Sequence, residues 1–171
     1  MDLKNHIRSI PDYPKPGILF YDIGTLLANG QAWRETVRLM SEIVAPLKPD
    51  LLVGIESRGF LVGAAVAAHL GLGFAMVRKK GKLPGETLSL AYDLEYGQDV
   101  IEMQKGVLKQ GDKVVLCDDL LATGGTASAA LSLIRKQGAE VLRAAFVIEL
   151  DFLRGRTRLD VETSSLVRYN Q

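Results

Sequence analysis

Several residue types are scarce in this sequence, and each scarcity excludes something. One cysteine cannot form an internal disulfide, which fits a reducing compartment. With two histidines beside it, zinc ligation and histidine-dependent catalysis are poorly provisioned. Charge of one sign is not in surplus. The 21 Lys and Arg against 20 Asp and Glu leave a formal net charge of +1, which argues against a general nucleic-acid binder held by phosphate neutralisation. The N-terminal residues Met1-Asp2-Leu3-Lys4-Asn5-His6 lack the apolar run of a secretory signal, so none is expected. Residues 59–77 hold no Asp, Glu, Lys or Arg, a length inside the membrane-span range of roughly 17–25 residues. They include His69 and four glycines, however, and Gly71-Leu72-Gly73 divides them, so a buried helix followed by a buried strand is expected and no membrane partner.

What is present is ordinary for a globular protein: 47% hydrophobic and 24% charged residues, which excludes disorder, collagen-like repeats and coiled coil. The 171 residues suit one compact domain that buries about 70% of its unfolded surface. Leu3, Ile7 and Ile10 share a helical face, with Pro11 closing a short helix. Pro11, Pro14, Pro16 and Gly17 mark an irregular connector. Trp33, Val37, Met40 and Val44 repeat at helical spacing until Pro46 and Pro49. Residues 51–55 read as a strand buried on both faces, 60–70 as a helix of small residues and 74–77 as a strand.

Residues 78–85 are basic and punctuated by Gly and Pro, the composition of an exposed loop. Leu88, Leu90, Tyr92, Leu94 and Tyr96 alternate as in a half-buried strand, with 100–103 available to pair as a hairpin. Residues 113–117 read as a buried strand, 126–136 as a helix and 141–148 as another strand. Strands alternating with helices predict an α/β fold with a mainly parallel central sheet, whose ligands collect beyond the strands' carboxyl ends.

The most informative stretch follows the strand at 114–117: Asp118, Asp119, Leu120, Leu121, Ala122, Thr123, Gly124, Gly125 and Thr126, then a helix. Glycines let successive backbone N–H groups turn inward as an anion-binding nest, the helix adds its positive end, and Thr123 and Thr126 add hydroxyls. That suits a phosphate monoester. The paired carboxylates would repel a phosphate directly, and suit hydroxyls, a cation or a developing positive charge. A sugar phosphate such as a ribose 5-phosphate has both features. There is no Walker A lysine and no G-x-G-x-x-G after a strand.

Val-Val-Leu-Cys-Asp-Asp-Leu-Leu-Ala-Thr-Gly-Gly-Thr at 114–126 resembles the phosphoribosyl-pyrophosphate signature of the type I phosphoribosyltransferases. Residues 11–20, 54–60, 78–85 and 93–97 resemble, in order, further segments of the family's adenine-specific branch, so the resemblance spans essentially the whole chain. It implies the type I phosphoribosyltransferase fold in a single domain, with a short N-terminal hood over about residues 1–30 and a mobile lid hairpin over about 78–103. It also implies transfer of a 5-phosphoribosyl group from 5-phosphoribosyl 1-pyrophosphate to adenine, giving AMP and pyrophosphate. The expected cofactor is Mg²⁺, held mainly by substrate oxygens with no dedicated protein metal site. The resemblance further implies small-molecule partners, a cytoplasmic location and a homodimer.

Residue by residue, the resemblance assigns the 5′-phosphate to Ala122, Thr123, Gly124, Gly125 and Thr126, and the ribose hydroxyls to Asp118 and Asp119. Glu56, Ser57 and Arg58 form the pyrophosphate loop, with a non-proline cis peptide expected at Glu56–Ser57. Arg78, Lys79 and Lys82 are the lid cations. Glu95 is the general acid/base, at purine N7, and Tyr96 beside it joins the substrate-binding set. Phe20 and Leu150 would cover the two faces of the base, with Ile18 and Leu19 as wall and backbone contacts. The sequence departs from the family at Tyr21, where many members have Arg, and at Gly24-Thr25, where Thr-Pro or Ser-Pro is common. Two rivals remain: the same fold acting on hypoxanthine, guanine or xanthine, and a non-catalytic sensor of phosphoribosyl pyrophosphate.

Overall fold

A computed structural model of the chain describes residues 1–94 and 97–170. At the N-terminus, a 3-10 turn over Leu3–His6 is capped by Asp2, whose side chain accepts the Lys4 N–H. The expected helix does not continue through Ile10. Arg8–Ile10 instead forms β1, antiparallel to β2 (Phe20–Asp22), with Ile10 opposite Phe20, while Leu3 and Ile7 turn into the core. Arg8 and Asp22 form an ion pair of 2.6 Å across this small sheet, and the Thr25 hydroxyl donates to the His6 carbonyl at 2.7 Å.

A short helix, α1 (Gly24–Ala28), precedes α2 (Gly30–Val44). Asn29 caps α2 by accepting the N–H groups of Gln31 and Ala32, two of the donors that a helix start leaves without partners. Ala32, Thr36, Met40 and Val44 recur every fourth residue and are fully buried, which lays one face of α2 on the sheet. β3 (Leu51–Ile55), α3 (Arg58–Leu70) and β4 (Gly73–Lys79) follow. The uncharged stretch 59–77 is therefore split between a helix and a strand, and among the described residues no helix is long and apolar enough to cross a membrane.

β5 (Thr87–Asp93) and β6 (Gln98–Gln104) form the expected hairpin. Arg78 and Lys79 are strand residues, where composition suggested a loop: they pair with Glu102 and Ile101 of β6 and carry β4 past the point where the apolar run ends. β7 (Lys113–Leu121), α4 (Gly125–Lys136), β8 (Glu140–Leu150) and β9 (Thr163–Tyr169) complete the order. β7 likewise outlasts its apolar run, because Asp118 and Leu120 keep register with Phe146 and Ile148 of β8. The two acids thus stand on the strand's last turn of pleat rather than in a loop beyond it.

The described residues build a seven-stranded sheet in the order β5-β6-β4-β3-β7-β8-β9, parallel from β4 to β9 and antiparallel at the hairpin. Alternation along β3 and β7 divides the interior. Val53, Val114 and Leu116 face a core with Leu131 and Phe146, whereas Leu52, Val115 and Cys117 face a core with Met40 and Val62. β3 leads to β4 on one side and β7 leads to β8 on the other. The chain order therefore reverses between β3 and β7, and a crevice opens at their carboxyl ends.

Candidate active site

Residues 55–58 at the end of β3 and 118–127, from the end of β7 to the start of α4, face each other across that crevice and line a cavity of about 450 Å³. At its centre the Nε of Arg58 lies 2.7 Å from Oδ2 of Asp119, whose side chain is 8% exposed. The adjacent carboxylate has a different environment. Asp118 lies half-buried and its Oδ1 accepts the Asp119 N–H at 2.9 Å. Burial, followed by the charge of Asp119, pushes its carboxyl well above the usual 3.8. Two neighbouring acids thus have unlike surroundings, one paired with a cation and the other set against burial and a like charge.

Beyond the acids the chain turns sharply. Gly124 has φ +81°, a left-handed conformation that side-chain-bearing residues rarely adopt, and α4 starts at the next residue. The residues of this turn and the first residues of α4 line the cavity, and a helix start of this kind supplies the unpaired N–H groups that an anion nest uses. The turn is held from outside by a segment the sequence reading did not single out. Gly155 presses its backbone against it so closely that a Cβ there would run into the Ala122 carbonyl and stand 3.0 Å from the Gly124 nitrogen.

Gly155 opens a 3-10 turn, Gly155–Arg158, fixed by its neighbour Arg156. Arg156 donates to the Glu149 carboxylate at 2.9 and 2.5 Å through Nε and Nη2 and to the Thr163 carbonyl through Nη1. Glu149 is 2% exposed and also accepts the Ser165 hydroxyl at 2.6 Å. Burial raises its pKa, but the hydrogen bonds from Arg156 and Ser165 outweigh that and hold the carboxyl below its usual range. A Glu inside the otherwise apolar run 144–150 is the sequence signal that could have pointed here.

The three cations expected in a lid are engaged elsewhere. Glu56 accepts Arg78 Nε at 3.0 Å and the Lys79 N–H at 2.7 Å, and Lys82 Nζ lies 3.4 Å away; Lys79 Nζ pairs with Asp99 at 3.1 Å. None of the three side chains lines the crevice cavity. The peptide Glu56–Ser57 is cis, as expected. A second cavity of about 1040 Å³, mostly apolar, shares Thr123, Gly125 and Thr126 with the first. Ile18 and Leu19 line it from the N-terminal segment, Leu150 from the end of β8 and Asp93 and Leu94 from the hairpin. The Thr126 hydroxyl donates to the Tyr92 hydroxyl at 3.1 Å, joining hairpin to nest.

Phe20 stands apart from this cavity's lining: Arg58 lies 5.4 Å from its ring centroid and the Tyr13 ring packs edge-on at 5.2 Å. Tyr21, where an Arg is usual, is a core residue stacked on Tyr169 at 3.7 Å. Glu95 and Tyr96 lie outside the described residues. Among the described residues, no group of three or more His, Cys, Asp or Glu is placed to hold a metal ion. Cys117 is buried, and that burial pushes its thiol up to about 12.

The model of the phosphoribosyl transferase domain matches residues 22–166. An adenine phosphoribosyltransferase of Rhodospirillum centenum is 62% identical over 169 residues, 99% of each chain. A solved adenine phosphoribosyltransferase from Thermoanaerobacter pseudethanolicus superposes with a TM-score of 0.95 at 45% identity, over 98% of both chains. The Saccharomyces cerevisiae enzyme, solved with an imino-altritol bisphosphate and adenine, superposes at 0.90 with 43% identity, over 96% of both.

Proposed function

The chain belongs to the phosphoribosyltransferase family, and from that premise we infer a purine-salvage enzyme that transfers the 5-phosphoribosyl group from 5-phosphoribosyl 1-pyrophosphate to adenine, releasing AMP and pyrophosphate. One observation supports this reading above others: a glycine turn at a helix start, two adjacent acids and an Arg-bearing loop surround one cavity, and a mostly apolar cavity with room for a flat base adjoins it. A phosphate, a diol, a pyrophosphate and a flat base each have a chemical counterpart among these residues.

In this assignment residues 122–126 hold the 5′-phosphate through N–H groups and the hydroxyls of Thr123 and Thr126. Asp118 and Asp119 take the ribose hydroxyls, and their charge favours the cationic character that develops at the anomeric carbon. Arg58 and the N–H groups of residues 56–58 receive the pyrophosphate. Arg78 and Lys82 reach it by exchanging Glu56 for the incoming anion, which closes the hairpin over the site and excludes water. Ile18, Leu19 and Leu150 wall the base, with Phe20 supplying a ring if the N-terminal segment shifts inward. Glu95 acts as general acid/base at the purine, with Tyr96 beside it.

Mg²⁺ fits this donor set. It favours one or two carboxylates completed by substrate oxygens and water, and Asp118 and Asp119 are the carboxylates on the crevice wall. When bound it neutralises the leaving pyrophosphate. The assignment further comprises one domain, with a hood over residues 1–30 and a lid over 78–103, working as a homodimer in the cytoplasm. A panel of adenine, hypoxanthine, guanine and xanthine, with nucleotide formation followed for each, tests it: adenine is expected to dominate, and faster turnover of hypoxanthine overturns the choice of base.

A further inference from the structure

We propose that Arg158 is a ligand of the substrate's 5′-phosphate, supplied from outside the phosphate loop by the turn between β8 and β9. The proposal rests on the assignment of residues 122–126 to that phosphate.

The nest has a charge deficit. Between Leu120 and Ala127 there is no basic residue, and the two acids that precede it repel a dianion. Arg58, the cation across the crevice, is paired with Asp119. Backbone N–H groups and a helix end carry only partial charge, so a full positive charge close by would add a charge-assisted hydrogen bond of the stronger kind.

Arg158 is that charge. Its Nη1 lies 3.2 Å from the point where a Cβ on Gly125 would stand, directly over the first residue of α4. It lines the second cavity together with Thr123, Gly125 and Thr126, the three residues common to both cavities. Among the described residues its guanidinium has no hydrogen-bond or ion-pair partner. The nearby acid of the hairpin, Asp93, accepts from Gln98 at 2.9 Å.

Its backbone position is also set with unusual care. Gly155 is wedged against Ala122 and Gly124, Arg156 is locked on buried Glu149, and Leu159 is 8% exposed. Arg158 lies between two anchored neighbours, so its long side chain starts from a fixed point beside the loop. Arg156 and Arg158 divide the work: one points inward to hold the turn, the other outward over the nest. A planar guanidinium suits the oxygens of a phosphate bidentately, and a lysine keeps the charge without the fork.

The test compares Arg158→Met and Arg158→Lys with the wild type by calorimetric titration of ribose 5-phosphate and, separately, of inorganic pyrophosphate. Arg158→Met is expected to weaken ribose 5-phosphate about tenfold, the low end for a charged hydrogen bond because the side chain is exposed. Pyrophosphate is expected to change by less than about twofold, since its loop lies across the crevice and intervening charge is screened. Arg158→Lys should recover most of the loss. With no partner to lose, Arg158→Met should unfold within about 2 °C of the wild type. Unchanged ribose 5-phosphate affinity in Arg158→Met overturns the proposal, as does an equal loss for both ligands. A wild-type chain that ignores ribose 5-phosphate overturns the phosphate-loop assignment itself.

Discussion

Asp118 and Asp119 are adjacent and chemically identical, yet the fold gives them different tasks. Asp119 has the Arg58 guanidinium at 2.7 Å, whereas Asp118 has burial and a like charge for company. A carboxyl whose pKa is raised by folding binds its proton more tightly in the native state than in the unfolded chain. Stability is then undiminished below the ordinary value near 3.8 and falls as pH rises from there toward the raised value. Asp118→Asn removes the ionisation while its Oδ1 still accepts the Asp119 N–H. It is expected to be more stable than the wild type at pH 7 and equal to it near pH 3, in denaturant titrations at the two pH values. Turnover should drop by about 100-fold, the scale for removing one preorganised electrostatic group. A variant less stable at pH 7 would contradict the strained-acid reading. Sequence alone displayed both acids, but not their difference, because the partner that separates them comes from 61 positions earlier in the chain.

At the scale of elements, α3 shows a glycine used against its own propensity. Gly63 is mid-helix, where Ala would ordinarily gain about 1 kcal/mol. A Cβ there would stand 2.5 Å from Cε2 of Phe74, and one on Gly54 of β3 would stand 2.6 Å from Cζ of the same ring. Helix and strand clamp Phe74 between two missing side chains, which lets α3 lie close on β3 and β4 and sets where the loop at 56–58 begins. Gly63→Ala is therefore expected to destabilise by about 1–3 kcal/mol, the cost of overpacking. Adding Phe74→Leu should recover part of it, with both read from urea midpoints. A stabilised Gly63→Ala would mean that helix propensity wins.

The elements that sequence showed well, α2, β3 and β8, are those whose apolar period is unbroken by partners elsewhere. β1, the extension of β4 through Lys79 and that of β7 through Leu121 were misread because strand pairing, rather than burial, decides where they end. β9 escaped because Thr163, Ser164 and Ser165 give an edge strand little apolar signal.

At the scale of the whole molecule, the site is contiguous in space but was legible only where it is contiguous in sequence. The glycine turn at 122–126 and the loop at 56–58 are short motifs and show directly in the sequence, and both line the crevice. Their outer support, Glu149 with Arg156 and Gly155, has no motif and depends on β8, β9 and the turn between them packing against β7. That support gives a last prediction. Removing Arg156 leaves Glu149 buried with Ser165 and a more distant Arg168, whose Nε is 3.7 Å away. Breaking a fully buried pair costs about 3–5 kcal/mol; with the Arg156 side chain 39% exposed, about 2 kcal/mol is expected for Arg156→Met.

Glu149→Gln alone should lose less, since it leaves no unpaired buried charge, and the double variant should show a coupling of about 1 kcal/mol in a double-mutant cycle. Because folding lowers the Glu149 pKa, the wild type has the benefit of this group above the ordinary value near 4.5 and loses it as pH falls through the lowered value. Glu149→Gln should flatten that acid-side loss. If Glu149 and Arg156 act only on stability, ribose 5-phosphate affinity will be unaltered in the folded variants. If they hold the turn against the nest, as the Gly155 contact requires, Arg156→Met weakens ribose 5-phosphate while sparing pyrophosphate, and titration of the two ligands at a temperature well below unfolding separates the cases.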